Sequence, residues 1–415
     1  MKRLTLLLLF VSSAVFSQKS IITLDSCIQM AKRNYPLIKQ NNLIEQVSKN
    51  NSAEANKNWL PHTSFSSKAV YQSEAISFLG TSFPKDSYVG SLSIEQMLFD
   101  GGQIKQQKNI EALNAANETA KNEVELYKLI DRVNQLYSNI LLSRENLKTL
   151  NIYKNDIDNK KSVLASSLQN GMILQSNLDE LEAEELKTDQ SVIETKDNID
   201  ALYQSLAMFI NKTITDSTVL PIQPVISTAS GNDILRPEEK LFSTQKDLVE
   251  ARYKLTSKIS VPKLSVFGDE NYGRPGYNFL NQNVRFFGEA GVSLKWNISS
   301  LYSISNEKQN LSISRKMIDV QKEVFEFNLK TQLATQSAQI NSLKNIIEKD
   351  KLIIEKRHNI KLTAGLQLEN GSITSTDYLT ELNAEMQALL NQKIHEIKLM
   401  NMITSYNTSK GINNF

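Results

Sequence analysis

The chain has 415 residues, with 47 basic and 45 acidic side chains, 14 glycines, eight prolines and one cysteine. A formal charge of +2 with no basic cluster excludes a nucleic-acid partner, and a single thiol, Cys27, excludes an intrachain disulfide. A chain this long would ordinarily form two or more globular domains. Its glycines and prolines are few and clustered, however, and long tracts contain neither.

The first residues read as a secretory leader, residues 1–17. Lys2 and Arg3 supply the positive region, Leu4 to Val15 the apolar stretch, and Ser17 the small residue before cleavage. That stretch is shorter than the ~20 residues a spanning helix needs, and no later stretch approaches one. Losing Lys2 and Arg3 leaves 47 − 2 = 45 basic against 45 acidic side chains. Cys27 lies well past the cleavage site and is expected to pack as a small apolar residue in the first helix.

The remainder is written twice. Pro36 and Pro237 are 201 residues apart, Pro61 and Pro262 are also 201 apart, and Gly171 and Gly371 are 200 apart. This spacing defines two structural repeats: residues 18–220 and 237–415, joined by a linker at 221–236 that holds Pro221, Pro224 and Gly231. Each repeat has a helix, a β-rich segment, a very long helix, a glycine-marked turn near 171 or 371, and a returning helix.

No Gly or Pro occurs from Gln103 to Asn170. Leu126, Val133, Ile140 and Leu147 recur every seventh residue, and Leu129, Leu136 and Leu150 fill the second seam position. One uninterrupted helix here would reach ~100 Å. Val192, Ile199 and Leu206 continue the period after the turn, and Ile346, Ile353 and Ile360 repeat it in the second half. The other faces are Asn, Gln, Lys, Glu and Ser, which suits an extended solvated assembly rather than a globular core.

Between the helices the period changes from seven to two. Strands are expected at about 62–72, 87–99, 263–272 and 284–298. In the last, Val284, Phe286, Gly288, Ala290, Val292, Leu294, Trp296 and Ile298 share one face, and mostly polar residues share the other. The run is long enough for a tilted membrane strand, which needs ~9–11 residues. Tyr71, Phe78, Phe83, Tyr88, Tyr272, Tyr277 and Phe279 collect near strand ends, as an interfacial girdle would. Four strands cannot close in lipid, because open edges leave backbone groups unpaired, so several copies must join.

Five motifs carry a family resemblance. They are the opening helix Ile22 to Pro36, ending in Asn34-Tyr35-Pro36; Trp59-Leu60-Pro61 before a strand; Leu98-Phe99-Asp100-Gly101-Gly102 between strand and helix; and the tips Asn170-Gly171-Met172-Ile173 and Asn370-Gly371-Ser372-Ile373. Together they resemble the TolC-like outer membrane efflux family, over nearly all of the mature chain. The second strand-to-helix turn, Ile298-Ser299-Ser300-Leu301-Tyr302, departs from the pattern by lacking the glycine pair.

The resemblance implies a mainly α fold with a β-barrel part: a homotrimer in which three copies of four strands form a twelve-stranded barrel on an α-helical tunnel. It implies a passive outer-membrane conduit, with its tunnel in the periplasm, for tripartite efflux or type I secretion. The partners implied are a periplasmic adaptor (membrane fusion protein) and an inner-membrane pump of RND or ABC type. The two tips become the adaptor-docking and gate region, and Met172, Ile173 and Ile373 are candidate contacts. Asp377 matches a family carboxylate that rings the periplasmic entrance; Asn177 is its uncharged counterpart in the first repeat, and Thr380 stands where a second acid would be. Neither a cofactor nor a catalytic constellation is expected. His62, His358 and His395 are scattered, and no phosphate-binding loop or metal-ligand cluster occurs in the sequence. The competing expectation is a periplasmic helical-hairpin adaptor or a structural envelope protein.

Overall fold

The computed structural model describes residues 21–78, 80–171, 173–222 and 235–412. The expected leader, Met172 and most of the linker lie outside them. In chain order the elements are α1 (Leu24–Asn34), α2 (Ile38–Lys57), β1 (His62–Tyr71), β2 (Ser77–Phe78), β3 (Thr81–Ser82), β4 (Asp86–Phe99), α3 (Gln103–Tyr127), α4 (Leu129–Gln169), α5 (Gln175–Ile210), α6 (Pro237–Ile259), β5 (Lys263–Arg274), β6 (Arg285–Lys295), a 3₁₀ turn (Ile298–Ser300), α7 (Leu301–Glu369) and α8 (Ser375–Lys410). They sort into two compact units, each drawing on both sequence repeats.

One unit holds residues 36–127 and 235–330. Its four-stranded sheet has the order β1-β4-β5-β6, antiparallel throughout. The central β4–β5 pairing therefore joins the first repeat to the second, and β1 and β6 are left as edges. Phe65 stands opposite Leu92, Leu92 opposite Glu270 and Glu270 opposite Gly288, so these residues share a face. That face also presents Tyr88, Ile94, Tyr272, Phe286, Val292 and Leu294, all exposed; Phe65 and Phe286 are 74% and 70% accessible. The opposite face carries Ser64, Ser93, Glu95, Ser265, Asp269, Glu289 and Lys295. Ser265 Oγ donates to Glu95 Oε1 at 2.7 Å, and Lys295 pairs with the same oxygen at 2.9 Å. Beneath the sheet in sequence, Ile110 of α3 packs against Leu248 and Ala251 of α6.

The expected last strand is too long. Asn297 leaves extended geometry (φ −87°, ψ 87°), and Ser300 Oγ donates to its carbonyl at 2.6 Å, opening the 3₁₀ turn. Val284 thus precedes β6, Trp296 follows it and Ile298 begins the turn. Of the large side chains on that strand expected to face lipid, Val284, Phe286, Val292, Leu294, Trp296 and Ile298, only Phe286, Val292 and Leu294 lie within β6. The same turn explains how the second repeat dispenses with a glycine pair. In the first repeat Gly101 and Gly102 have φ of +72° and +79°, and the buried Asp100 accepts from Gly102 N at 2.7 Å and Ile104 N at 2.6 Å, starting α3. After β6 the chain turns instead through Asn297 to Ser300, where Ser299 Oγ donates to Asn297 Oδ1 at 2.7 Å and the Asn297 side chain caps no backbone N–H.

The other unit holds residues 21–35, 128–222 and 331–412 of those described. Val133 and Ile140 of the expected heptad are fully buried, with Ile130 and Tyr137 beside them, and Ile199 and Leu206 of α5 are buried too. Tyr137 donates to Pro221 O at 2.8 Å, and Arg144 Nη1 to Thr218 O at 2.8 Å, which fixes the chain leaving α5. Cys27 is buried as expected, and burial pushes its thiol pKa up to about 12, against a smaller opposing pull from Lys212. The expected single helix from 103 to 170 is corrected: it is interrupted at Lys128. There ψ is −19°, a tightened 3₁₀-like value, and the Arg132 N–H reaches Lys128 O only at 3.5 Å. Ile346, Ile353 and Ile360 of α7 remain exposed in the single chain.

Gly101 tests the strand-to-helix turn. A Cβ there would lie 2.7 Å from Val261 Cβ, whereas one at Gly80, also at positive φ, would meet nothing within 4 Å. Both Ala substitutions incur left-handed strain of about 1 kcal/mol, and Gly101→Ala adds about 1–3 kcal/mol of overlap. Thermal unfolding followed by circular dichroism should show the larger drop for Gly101→Ala. Equal drops would remove the close approach to Val261.

Candidate functional site: the paired hairpin tips

Two helical hairpins end in tips of the same construction within the second unit. Gly171 and Gly371 take φ of +69° and +68°, the left-handed conformation that ends a helix. Gly171 N–H donates to Leu168 O at 2.9 Å and Gly371 N–H to Leu368 O at 3.0 Å; Asn170 and Asn370 close the preceding turns on Ser166 and Leu366. A Cβ at Gly171 would meet nothing, so backbone conformation, not space, demands glycine there.

Ile173 and Ile373 turn inward. Both are half-buried against a core of Tyr153, Ile157, Leu164, Leu181, Leu368, Tyr378 and Leu382, which joins the two hairpins. Among the described tip residues, Leu174 is an exposed apolar side chain, at 72% accessible. Ser372 is exposed, and its N–H donates to Gln367 O at 2.9 Å.

Asp377 is engaged locally. It is the third residue of α8, and its carboxylate accepts from Thr374 N at 3.0 Å and Thr374 Oγ1 at 2.8 Å, while its own N–H donates to Thr374 Oγ1 at 3.2 Å. This is a capping box with Asp in the Glu position. The hydrogen bonds from Thr374 hold the Asp377 carboxyl below the usual aspartate range. The cap is therefore intact above the ordinary pKa near ~3.9 and is lost only as pH falls through the lower folded value. Asp377 and Thr380 share one groove of about 650 Å³ between α7 and α8, lined also by Lys356, Ile360, Gln367 and Glu381. Asn177 faces elsewhere: its side chain accepts from Ser375 N at 3.4 Å and its carbonyl from Ser375 Oγ at 2.8 Å, stitching the first tip to the second.

Behind the tips lies a network that no local pattern announced. Lys361 pairs with Asp156 at 3.1 Å and Glu385 at 2.9 Å, His358 reaches Glu385 at 2.6 Å, and Lys160 pairs with Glu369 at 2.7 Å. Burial works against the charge on Lys361, but its bonds to Glu385 and Asp156 outweigh that, so its ammonium stays protonated above the usual lysine range. The stabilisation is complete below the ordinary lysine pKa near ~10.4 and disappears as pH rises through the folded value. Lys361→Met leaves the buried Glu385 and the half-buried Asp156 without their shared cation and should cost about 3 kcal/mol at neutral pH, mostly through Glu385. A denaturant titration reads this, and an unchanged midpoint would mean that His358 alone satisfies Glu385.

No family model matches the sequence, and no curated protein matches it. Solved structures do. The outer-membrane channel OprN aligns over 94% of this chain and 89% of its own, at 12% identity and a TM-score of 0.71. The open-state MtrE outer membrane channel of Neisseria gonorrhoeae aligns over 94% and 89%, at 13% identity and 0.68. The outer membrane protein VceC of Vibrio cholerae aligns over 93% and 94%, at 12% identity and 0.65. The chain therefore has the fold expected from its motifs: long helical hairpins in two repeats with a four-stranded antiparallel sheet.

Proposed function

We propose that this chain is one subunit of a homotrimeric outer-membrane channel, a passive conduit from periplasm to exterior. The observation that carries this is the sheet: an exposed apolar face, a polar opposite face, and two unpaired edges, β1 and β6. An edge in lipid leaves backbone donors and acceptors unpaired at several kcal/mol each. Pairing β6 of one copy with β1 of the next removes every edge, and three copies of four strands make a twelve-stranded barrel. Strands of 10, 14, 12 and 11 residues suffice to cross the hydrocarbon. Tyr71, Tyr88, Tyr272 and Phe286 gather toward one end of the apolar face, and Trp59 and Trp296 follow or precede the strands at the other.

Exposed stripes on the helices fit the same assembly. Ile313, Met317, Val320, Val324 and Phe327 alternate at four and three residues along α7, and Leu43 and Val47 stand out on α2. Solvated singly, such seams are a liability; between copies they make coiled-coil contacts. The solved outer-membrane channels of this fold support the conduit, and the resemblance of the motifs supports a role in tripartite efflux or type I secretion. A periplasmic adaptor would engage the tips, where Asn170 to Ile173, Leu174 and Asn370 to Ile373 lie, and an inner-membrane pump of RND or ABC type would supply the energy. A periplasmic adaptor fold is disfavoured for this chain itself, since two hairpins and a membrane-length sheet stand in place of one hairpin and compact β-domains.

The two sheet faces can be told apart directly. Val292→Arg places a charge in lipid at a cost of about 2–4 kcal/mol near mid-membrane, while Ser293→Arg points the same charge into water. Outer-membrane fractionation with intact-mass measurement should show the trimer lost or depleted for the first and retained for the second. A soluble monomer in both, or the reverse order, would overturn the channel.

Asp377 is proposed to line the periplasmic entrance, where three copies near the axis attract cations. Because the same carboxylate caps α8, Asp377→Asn is the informative change: the amide oxygen still accepts from Thr374 while the charge is removed. Cation-over-anion selectivity in planar bilayers should fall, with folding unchanged. Unaltered selectivity would leave Asp377 as a cap only.

A further inference from the structure

The apolar face of the sheet is not uniformly apolar. Glu270 lies on it, exposed, in the middle of the sheet on β5. The face's other acid within the strands, Asp86, is paired with Arg274 at the rim. Glu95, on the opposite face, is paired with Lys295. Glu270 has no hydrogen-bond or ion-pair partner among the described residues. It is four residues from Arg274, about 13 Å along the strand, below the aromatic pair of Tyr272 and Phe286, whose ring centroids are 4.6 Å apart.

The surface around it is concave. Gly268, Gly288 and Ala290 withhold side chains while Leu92, Ile94 and Val266 stand up, leaving a recess of about 740 Å³ with Glu270 on its border. The carboxylate lies down toward this floor: a Cβ at Gly288 would come within 2.7 Å of Glu270 Oε2. β5 is flanked by β4 and β6 and is not an edge, so the strand pairing that closes the barrel cannot cover this recess.

We propose, resting on the membrane placement above, that the recess binds one lipid per protomer: an acyl chain over the glycine floor and a primary ammonium of the head group on the Glu270 carboxylate. The apolar walls and low-dielectric surroundings favour the chain, and an uncompensated carboxylate facing lipid favours a cationic partner. An anionic head group would instead meet like charge.

The test uses the intact trimer, extracted in mild detergent, exposed to phosphatidylethanolamine or phosphatidylglycerol and weighed whole by native mass spectrometry. The wild-type trimer should retain the ethanolamine lipid about tenfold over the glycerol lipid, the ratio one charge-assisted contact supplies. Glu270→Gln should abolish the preference. Gly268→Leu should lower retention of both lipids by filling the recess; a Cβ there finds its nearest heavy atom, Glu289 O, at 4.0 Å and leaves the backbone undisturbed. Equal retention by wild type and Glu270→Gln overturns the proposal. So does retention of phosphatidylglycerol that requires magnesium and vanishes with chelator, which would mean a cation bridge. A trimer that forms normally without lipid preference defeats this inference alone, whereas absence of any membrane trimer defeats the channel as well.

Discussion

The structure turns on an unfinished sheet. Four strands present one greasy face and one polar face, and their two outermost members have backbone groups with nothing to bond. In water the apolar face is the liability; in lipid the edges are. On the channel proposed above, closure with copies satisfies both demands at once. The exposed heptad positions of α7 repeat the message in helical form. Residues spaced for a seam are present before a partner is.

The hairpin tips follow a different logic. Their glycines, cap and inward isoleucines are devices for reversing a helix within a few residues, and the side chains that resemble a gate serve that purpose as well. Asp377 is a capping residue whatever else it does, and Asn177 spends its acceptors on Ser375. A carboxylate on such duty is held in a fixed position, which is what a selectivity ring would need. The Lys361, Asp156, Glu385 and His358 network then ties helices of both repeats behind the tips, so the two hairpins resist separation as a unit.

Much of this was legible in the sequence because it is periodic or punctuated. Seven-residue steps through Val133 and Ile140, two-residue steps through Phe286 and Leu294, and prolines and glycines repeated 200 or 201 residues apart each report local geometry. What escaped was either too local or too distant. The end of β6 depended on Ser300 bonding back to Asn297, a detail that apolar alternation through Trp296 and Ile298 concealed. The break at Lys128 has no Gly or Pro to mark it. Pairs such as Lys361 with Asp156, 205 residues apart, have no signature in one sequence. The half-burial of the candidate contacts Ile173 and Ile373 against a core joining both hairpins, and the exposure of Leu174 one residue after Ile173, depend on packing that the tip motifs do not encode.

The claim that copies complete the sheet is most directly tested at its edges. Cysteines placed singly along β1 and β6, in a chain whose only native thiol is buried, can be oxidised in intact cells and the products separated by size. The account predicts that paired positions yield covalent dimers and trimers, in a register that alternates with strand period, and that no β1–β6 link forms within one chain. A β1–β6 disulfide inside a single monomer, or none between copies at any register, would contradict it.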